Sequence, residues 1–211
     1  VADLILALDV TDPAEALAVA AKTAETIDQV KVGYPLVLHA GLPIVRELAR
    51  LGLPLIADFK VADIPATNTL ITEAAFSAGF DAIICQGFPG RDSITACVDA
   101  AHAHGGACYV VAEMSHPGAT ECFGGGTAER IAEMACTSGA DGIIAPATRP
   151  DRVAVLRRII GARKIYSPGV GAQGGDASAV APLVDGVIVG RAIYADPDPA
   201  TRAKEYSVIC R

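Results

Sequence analysis

Short β-branched apolar runs recur along the chain, each followed by an Ala-rich segment whose apolar residues repeat every three or four positions. The runs are LILALDV (4–10), QVKVGY (29–34), LPLIADFK (53–60), DAIICQGF (81–88), ACYVVAEMS (107–115), DGIIAPAT (141–148), KIYSPGV (164–170) and DGVIVGRAIY (185–194). Their first residues lie 21 to 34 positions apart. The intervening segments, such as PAEALAVAAKTAETI, PIVRELARLG, AERIAEMACTSG and DRVAVLRRIIG, predict amphipathic helices. Gly52, Gly79, Gly105, Gly139 and Gly161 stand where helix C-caps are expected. Strands that are almost continuously apolar belong in a parallel sheet covered by helices on its outer face. Eight such units predict a single (β/α)8 barrel over residues 1–211, near the short end of that fold's size range. A doubly wound open sheet is the alternative. The absence of an excess helix layer or a break in composition favours closure.

Composition narrows the function. Hydrophobic residues make up 52% and charged residues 19% of the 211, which excludes a disordered chain. Aromatics are 5% and Trp is absent, so the core is aliphatic. A net charge of −7 argues against a nucleic-acid partner. No apolar window reaches the roughly 18 residues a membrane span needs, and the first residues lack a basic leader, so a soluble cytoplasmic protein is expected. The chain starts at Val1 rather than Met, which is read as trimming. The six cysteines (85, 97, 108, 122, 136, 210) have neither metal-ligand nor disulfide-framework spacing and are expected to be reduced, with Cys122 alone in a loop-like stretch.

In this fold the reactive groups come from the C-terminal ends of strands. The polar residues at those positions are Asp9, Lys31, Asp58, Lys60, Asp63, Glu113, Ser115, His116, Thr148, Arg149, Gln173 and Arg191. Period-two alternation puts Asp58 and Lys60 on one strand face, with Asp63 at the following turn and Lys31 on the neighbouring strand. Two lysines and two aspartates then make an alternating, neutral array. A buried ammonium costs several kcal/mol without a carboxylate partner, so four such charges at adjacent strand ends indicate function. The alternative is a structural ion-pair network in which Asp63 only caps the helix beginning at Ile64-Pro65.

The run 167–176, SPGVGAQGGD, followed by Gly190-Arg191, has the placement of a barrel phosphate site after strands seven and eight. Its four glycines around Gln173 also let this loop close as a lid. The formal G-x-G-x-x-G at 169–174 is not a dinucleotide fingerprint, because only 42 residues follow Gly169. Ser115 next to His116 lacks nucleophile–base geometry and is read as a ligand-binding hydroxyl. No cofactor motif and no metal cluster are visible.

VKVGYP (30–35), ADFKVADIPATN (57–68), GFPG (87–90), EMSHPGA (113–119), SPGVGAQGG (167–175) and IVGRAIY (188–194) resemble the orotidine 5′-monophosphate decarboxylase family, particularly its compact archaeal branch. The Asp-x-Lys-x-x-Asp core is shared with Mg²⁺-dependent sugar-phosphate lyases; the Ile64-Pro65-Ala66-Thr67-Asn68 continuation and the Gln-bearing glycine loop discriminate. The resemblance implies cofactor-free decarboxylation of orotidylate to UMP, the last step of de novo pyrimidine synthesis. It implies Lys60 as proton donor to C6, Asp58 facing the substrate carboxylate, and Lys31 and Asp9 at the ribose. Ser115 would hold the pyrimidine, Gln173 would link base and phosphate, and Gly190 with Arg191 would bind phosphate, with Pro168 also touching substrate. Ile64 would also contact substrate, and Asp63 and Thr67 would reach into the partner's site in a homodimer. Gln86 stands where some relatives carry His.

Overall fold

In the computed structural model, which describes residues 1–211, the eight predicted runs each supply one strand. In chain order the elements are β1 (Asp3–Ala7), α1 (Pro13–Thr23), β2 (Gln29–Gly33), α2 (Tyr34–Ala40), α3 (Pro43–Ala49), β3 (Leu55–Val61), α4 (Pro65–Ala78), β4 (Ala82–Gln86), α5 (Arg91–Ala103), β5 (Ala107–Val111), α6 (Ala119–Phe123), α7 (Thr127–Thr137), β6 (Gly142–Ile144), α8 (Pro150–Ile160), β7 (Lys164–Pro168), α9 (Ala177–Val180), β8 (Gly186–Val189), α10 (Arg191–Tyr194) and α11 (Pro199–Cys210). All strands are parallel, and β8 closes onto β1, giving the (β/α)8 barrel. The five expected C-cap glycines all adopt positive φ, the conformation in which an L side chain clashes with its own backbone.

Strands end earlier than their apolar runs. The eighth run was expected to extend to 194, but Arg191–Tyr194 is a helical turn, α10. The sequence LILALDV likewise leaves the sheet after Ala7. Asp9 and Arg191 thus stand past the ladder, free of its hydrogen bonds. Cys122 is corrected as well: it is exposed on α6 rather than in a loop. Cys85, Cys97 and Cys108 are buried free thiols.

Alternation splits the aliphatic side chains into two layers. A cluster of 53 buried residues fills the space between strands and helices. A second cluster of ten, including Ile5, Ile56, Ile84, Val111, Ile144 and Ile188, fills the barrel interior. At its N-terminal end the interior is plugged by Tyr109 and Tyr166, with ring centroids 4.6 Å apart. Gln29 donates to the Tyr166 hydroxyl at 2.9 Å. Burial of about 25 cal/mol per Å² of apolar surface makes these layers the main stabilising contribution.

A repeated carboxylate clamp closes the same end. Asp28, Asp81, Asp141 and Asp185 immediately precede the even-numbered strands. Each accepts, at 2.8 Å, a backbone N–H from the first or second residue of the preceding odd strand: Leu4, Leu55, Cys108 and Ile165 respectively. Each also returns its own N–H to the carbonyl of that same residue. The stagger of a tilted barrel leaves these strand-end donors without a ladder partner, and an unmet buried donor costs about 1–3 kcal/mol. Asp28→Ala should therefore lower unfolding free energy by about 1–3 kcal/mol, and Asp28→Asn, which keeps an acceptor oxygen, by less. Urea denaturation of the two variants checks this; equal losses would mean that the charge, not the acceptor, matters.

Candidate active site

The centre of the C-terminal mouth is Asp58, whose carboxylate is held between two ammonium groups. Lys31 on β2 donates to its Oδ2, and Lys60 donates to its Oδ1 at 2.7 Å. Lys31 Nζ also lies 4.0 Å from Oδ1 of Asp9, which follows β1. Asp9 passes so close to β2 that a Cβ on Gly33 would stand 3.2 Å from its Oδ1. Removing a carboxylate and an ammonium from water costs several kcal/mol each. Two unit charges 4 Å apart recover about 4 kcal/mol at an effective dielectric of 20, so a single pair barely compensates. The second lysine shifts the balance: burial pushes Asp58 up, but Lys31 and Lys60 together hold its carboxyl below the usual carboxylate value. Burial likewise pulls Lys31 down, and the Asp58 and Asp9 carboxylates outweigh it, so its ammonium is held above its ordinary value.

The backbone of β3 is bent to make this arrangement. Between the paired positions Ala57↔Ile83 and Val61↔Cys85, four steps along β3 match two along β4, which is a bulge. Within it Lys60 adopts φ 44°, the chain's sole left-handed residue other than glycine. Such a conformation costs on the order of 1–2 kcal/mol and is typical of functional sites. Phe59, between the two charged residues, points outward, stacks on Tyr34 with centroids 5.2 Å apart and meets Phe80 edge-on.

Around this array is a cavity of about 280 Å³. It gathers Asp9, Lys31, Asp58, Lys60, Ser115, Pro168, Gln173, Gly190 and Arg191 from the ends of six strands and the loops that follow them. None of the chain's ion pairs involves Arg191, so its guanidinium faces the cavity uncommitted. The loop after β7 folds over the mouth: the Ser115 hydroxyl donates to Oε1 of Gln173 at 2.6 Å. Gly169, at φ 102°, lets it do so, since a Cβ there would meet Ser115 Cβ at 3.0 Å and Thr148 at 3.2 Å.

Asp63, Ile64 and Thr67 are not in this cavity. Asp63 is exposed and makes no ion pair with either lysine of its own chain, so the four-charge array expected within one chain does not form. Asp9 supplies the second carboxylate instead. Asp63 does not cap α4 either: its Oδ1 accepts only from the next residue, Ile64, at 2.7 Å. Its backbone is pinned by Asn68, which accepts the Asp63 N–H at 3.0 Å, and by Ser93, whose hydroxyl donates to the Asp63 carbonyl at 2.9 Å.

Sequence reasoning missed the apolar floor, formed by Ile84, Val111, Met114, Ile144 and Ile188, and also Tyr194. In runs apolar on both faces the inward residues carry no distinguishing mark. Tyr194 had a signal, standing one helical turn beyond Arg191.

The family model for orotidine 5′-phosphate decarboxylase / HUMPS matches residues 2–206. The chain belongs to this family. It is 57% identical over 204 residues to orotidine 5′-phosphate decarboxylase of Methanosarcina mazei, covering 96% of this chain and 92% of that protein. It is 48% identical over 204 residues to the enzyme of Thermococcus kodakarensis, covering 95% and 93%. The crystal structure of orotidine 5′-monophosphate decarboxylase from Methanocaldococcus jannaschii complexed with inhibitor BMP superposes with a TM-score of 0.96 at 42% identity, covering 100% of this chain and 99% of that one. No helix is long and apolar enough to cross a membrane.

Asp58 and Lys31 also set a pH window for stability. The lowered Asp58 value stabilises the fold fully above about 3.9, the unfolded carboxylate value, and is lost as pH falls through its folded value. The raised Lys31 value stabilises fully below about 10.4 and is lost as pH rises through its folded value. Asp58→Asn, which leaves Lys31 buried beside a more distant Asp9, should cost about 3–5 kcal/mol at neutral pH. The cost should shrink on acidification, where wild type loses the same interaction. Thermal unfolding of both proteins across acid pH checks this; a cost independent of pH would contradict it.

Proposed function

We propose that this barrel is a single catalytic domain that decarboxylates orotidine 5′-monophosphate to UMP without a cofactor, Lys60 supplying the proton. The activity as a carboxy-lyase of pyrimidine synthesis rests on the relatives named above. A cytoplasmic location belongs to the same reading. The observation that carries the residue roles is the Lys31–Asp58–Lys60 arrangement lining a cavity that also presents an unpaired arginine.

The chemistry follows from where charge develops. Breaking the C6–carboxylate bond releases CO₂ and leaves an electron pair on C6. An ammonium already fixed beside that carbon stabilises the pair without reorganisation and then transfers its proton to it. Lys60, oriented by a 2.7 Å hydrogen bond to Asp58 and by the bulge, fits that role. Asp58 occupies the place where the substrate carboxylate would come closest, so binding brings two anions together. Lys31, Asp9 and the apolar floor place the ribose and the base. Arg191 and Gly190 take the phosphate, and Gln173, held to Ser115, spans base and phosphate. Phosphate binding far from C6 then supplies free energy for holding a crowded carboxylate.

The same reading assigns Asp63 and Thr67 to the partner's cavity in a homodimer, beside Ile64 as a further substrate contact. Tyr34, Leu38, Leu42, Ile64, Leu70 and Phe88 support it: they are exposed large apolar side chains on consecutive elements after β2, β3 and β4, next to Asp63. Such groups on one side of a barrel favour association.

Loss of orotidylate ultraviolet absorbance with formation of UMP, in excess EDTA, tests the reaction. No decay by a folded protein would move the assignment to the Mg²⁺-dependent sugar-phosphate lyases. Lys60→Ala should abolish turnover, whereas Arg191→Ala should mainly raise KM; an unchanged KM would remove Arg191 from the phosphate site. Lys60→Ala and Asp63→Asn proteins, each inactive alone, should regain turnover after co-refolding, because the mixed dimer contains one complete cavity. Persistent inactivity of a demonstrated mixed dimer would mean that Asp63 serves its own chain.

A further inference from the structure

We propose that Glu113 is a positioning residue that sets the Ser115–Gln173 contact through Arg149. Glu113 follows β5 and is 3% exposed, where an unpaired carboxylate is strongly disfavoured. Its Oε1 accepts from Arg149 Nε at 2.8 Å and its Oε2 from Arg152 Nε at 3.0 Å. Arg152 reaches on to Glu129 of α7 at 2.8 Å. Two acids and two bases thereby neutralise each other in one chain of contacts joining β5, α7 and the start of α8.

The far end of Arg149 separates this cluster from a purely structural one. Its Nη2 donates to the Met114 carbonyl, and the preceding residue, Thr148, donates its hydroxyl to the Ser115 carbonyl at 3.0 Å. Two consecutive carbonyls after β5 are therefore gripped by two consecutive residues after β6. Met114 lines the cavity with its side chain, and the Ser115 hydroxyl holds Gln173 of the covering loop. A guanidinium spans this distance because its planar fork offers Nε to the carboxylate and Nη2 to the carbonyl. Without the Glu113 charge, Arg152 keeps Glu129 but Arg149 is left beside it with no carboxylate partner. Arg149 then turns toward water and releases Met114, and the Ser115 hydroxyl loses its fixed direction.

The inference rests on the reading of Ser115 and Gln173 as the clamp over the substrate base, and the test separates the two. In the full-length protein, Glu113→Gln should lower kcat/KM for orotidylate roughly 10- to 100-fold, the scale expected for a small misplacement of binding groups. Most of the loss should appear in KM. In a Ser115→Ala background the same substitution should change little further, because its route of action is already gone. Arg149→Lys keeps the positive charge opposite Glu113 but lacks the fork, and should show the same non-additivity even if Glu113→Gln folds poorly. Losses that multiply in the double variants, or wild-type kinetics in Glu113→Gln and Arg149→Lys, would overturn the proposal while leaving Ser115 in place. Wild-type kinetics in Ser115→Ala would overturn both readings.

Discussion

One carboxylate organises the mouth of this barrel. Asp58 is buried and can remain ionised only because two ammonium groups reach it from β2 and β3. Lys31 in turn can remain charged at 6% side-chain exposure only because Asp58 and Asp9 face it. The two buried members depend on each other most: without Asp58, Lys31 has only the more distant Asp9, and without Lys31, Asp58 has only Lys60. The bulge in β3 and the left-handed backbone of Lys60 are consequences of the same demand, because Asp58 and Lys60 must both point inward and meet.

The barrel separates the tasks of stability and chemistry along its axis. The N-terminal end has the tyrosine plug and four Asp clamps, each satisfying strand-end donors that the stagger leaves unpaired. The middle is aliphatic. The C-terminal end collects charges that would destabilise any other part of the interior. A rigid lower half can tolerate the strain of the upper half, since the backbone at Lys60 is held by ladder hydrogen bonds on both sides of the bulge and by the Tyr34–Phe59–Phe80 packing behind it.

Much of this was legible in the chain. Eight apolar runs with glycine-terminated helical segments specified the strand count and order, because burial of parallel strands on both faces leaves an unmistakable composition. Asp58, Lys60, Lys31, Asp9, Gln173 and Arg191 were legible because charged and amide side chains at the ends of apolar runs must find partners or ligands. The Asp clamps had a sequence mark as well, an Asp immediately before an apolar run, but that mark does not say which backbone N–H it meets.

What the sequence determined by itself is therefore the set of elements, their order and the chemistry available at one rim; local periodicity and the cost of buried charge are properties of neighbouring residues. Tertiary structure decided the rest. Barrel closure chose which residues of each doubly apolar run face inward, and so built the floor of Ile84, Val111, Ile144 and Ile188. The β3 bulge decided the Asp58–Lys60 geometry. Closure also replaced Asp63 by Asp9 as the second carboxylate within the chain. These choices depend on contacts between segments tens of residues apart, where shear, register and desolvation are set by all eight strands at once.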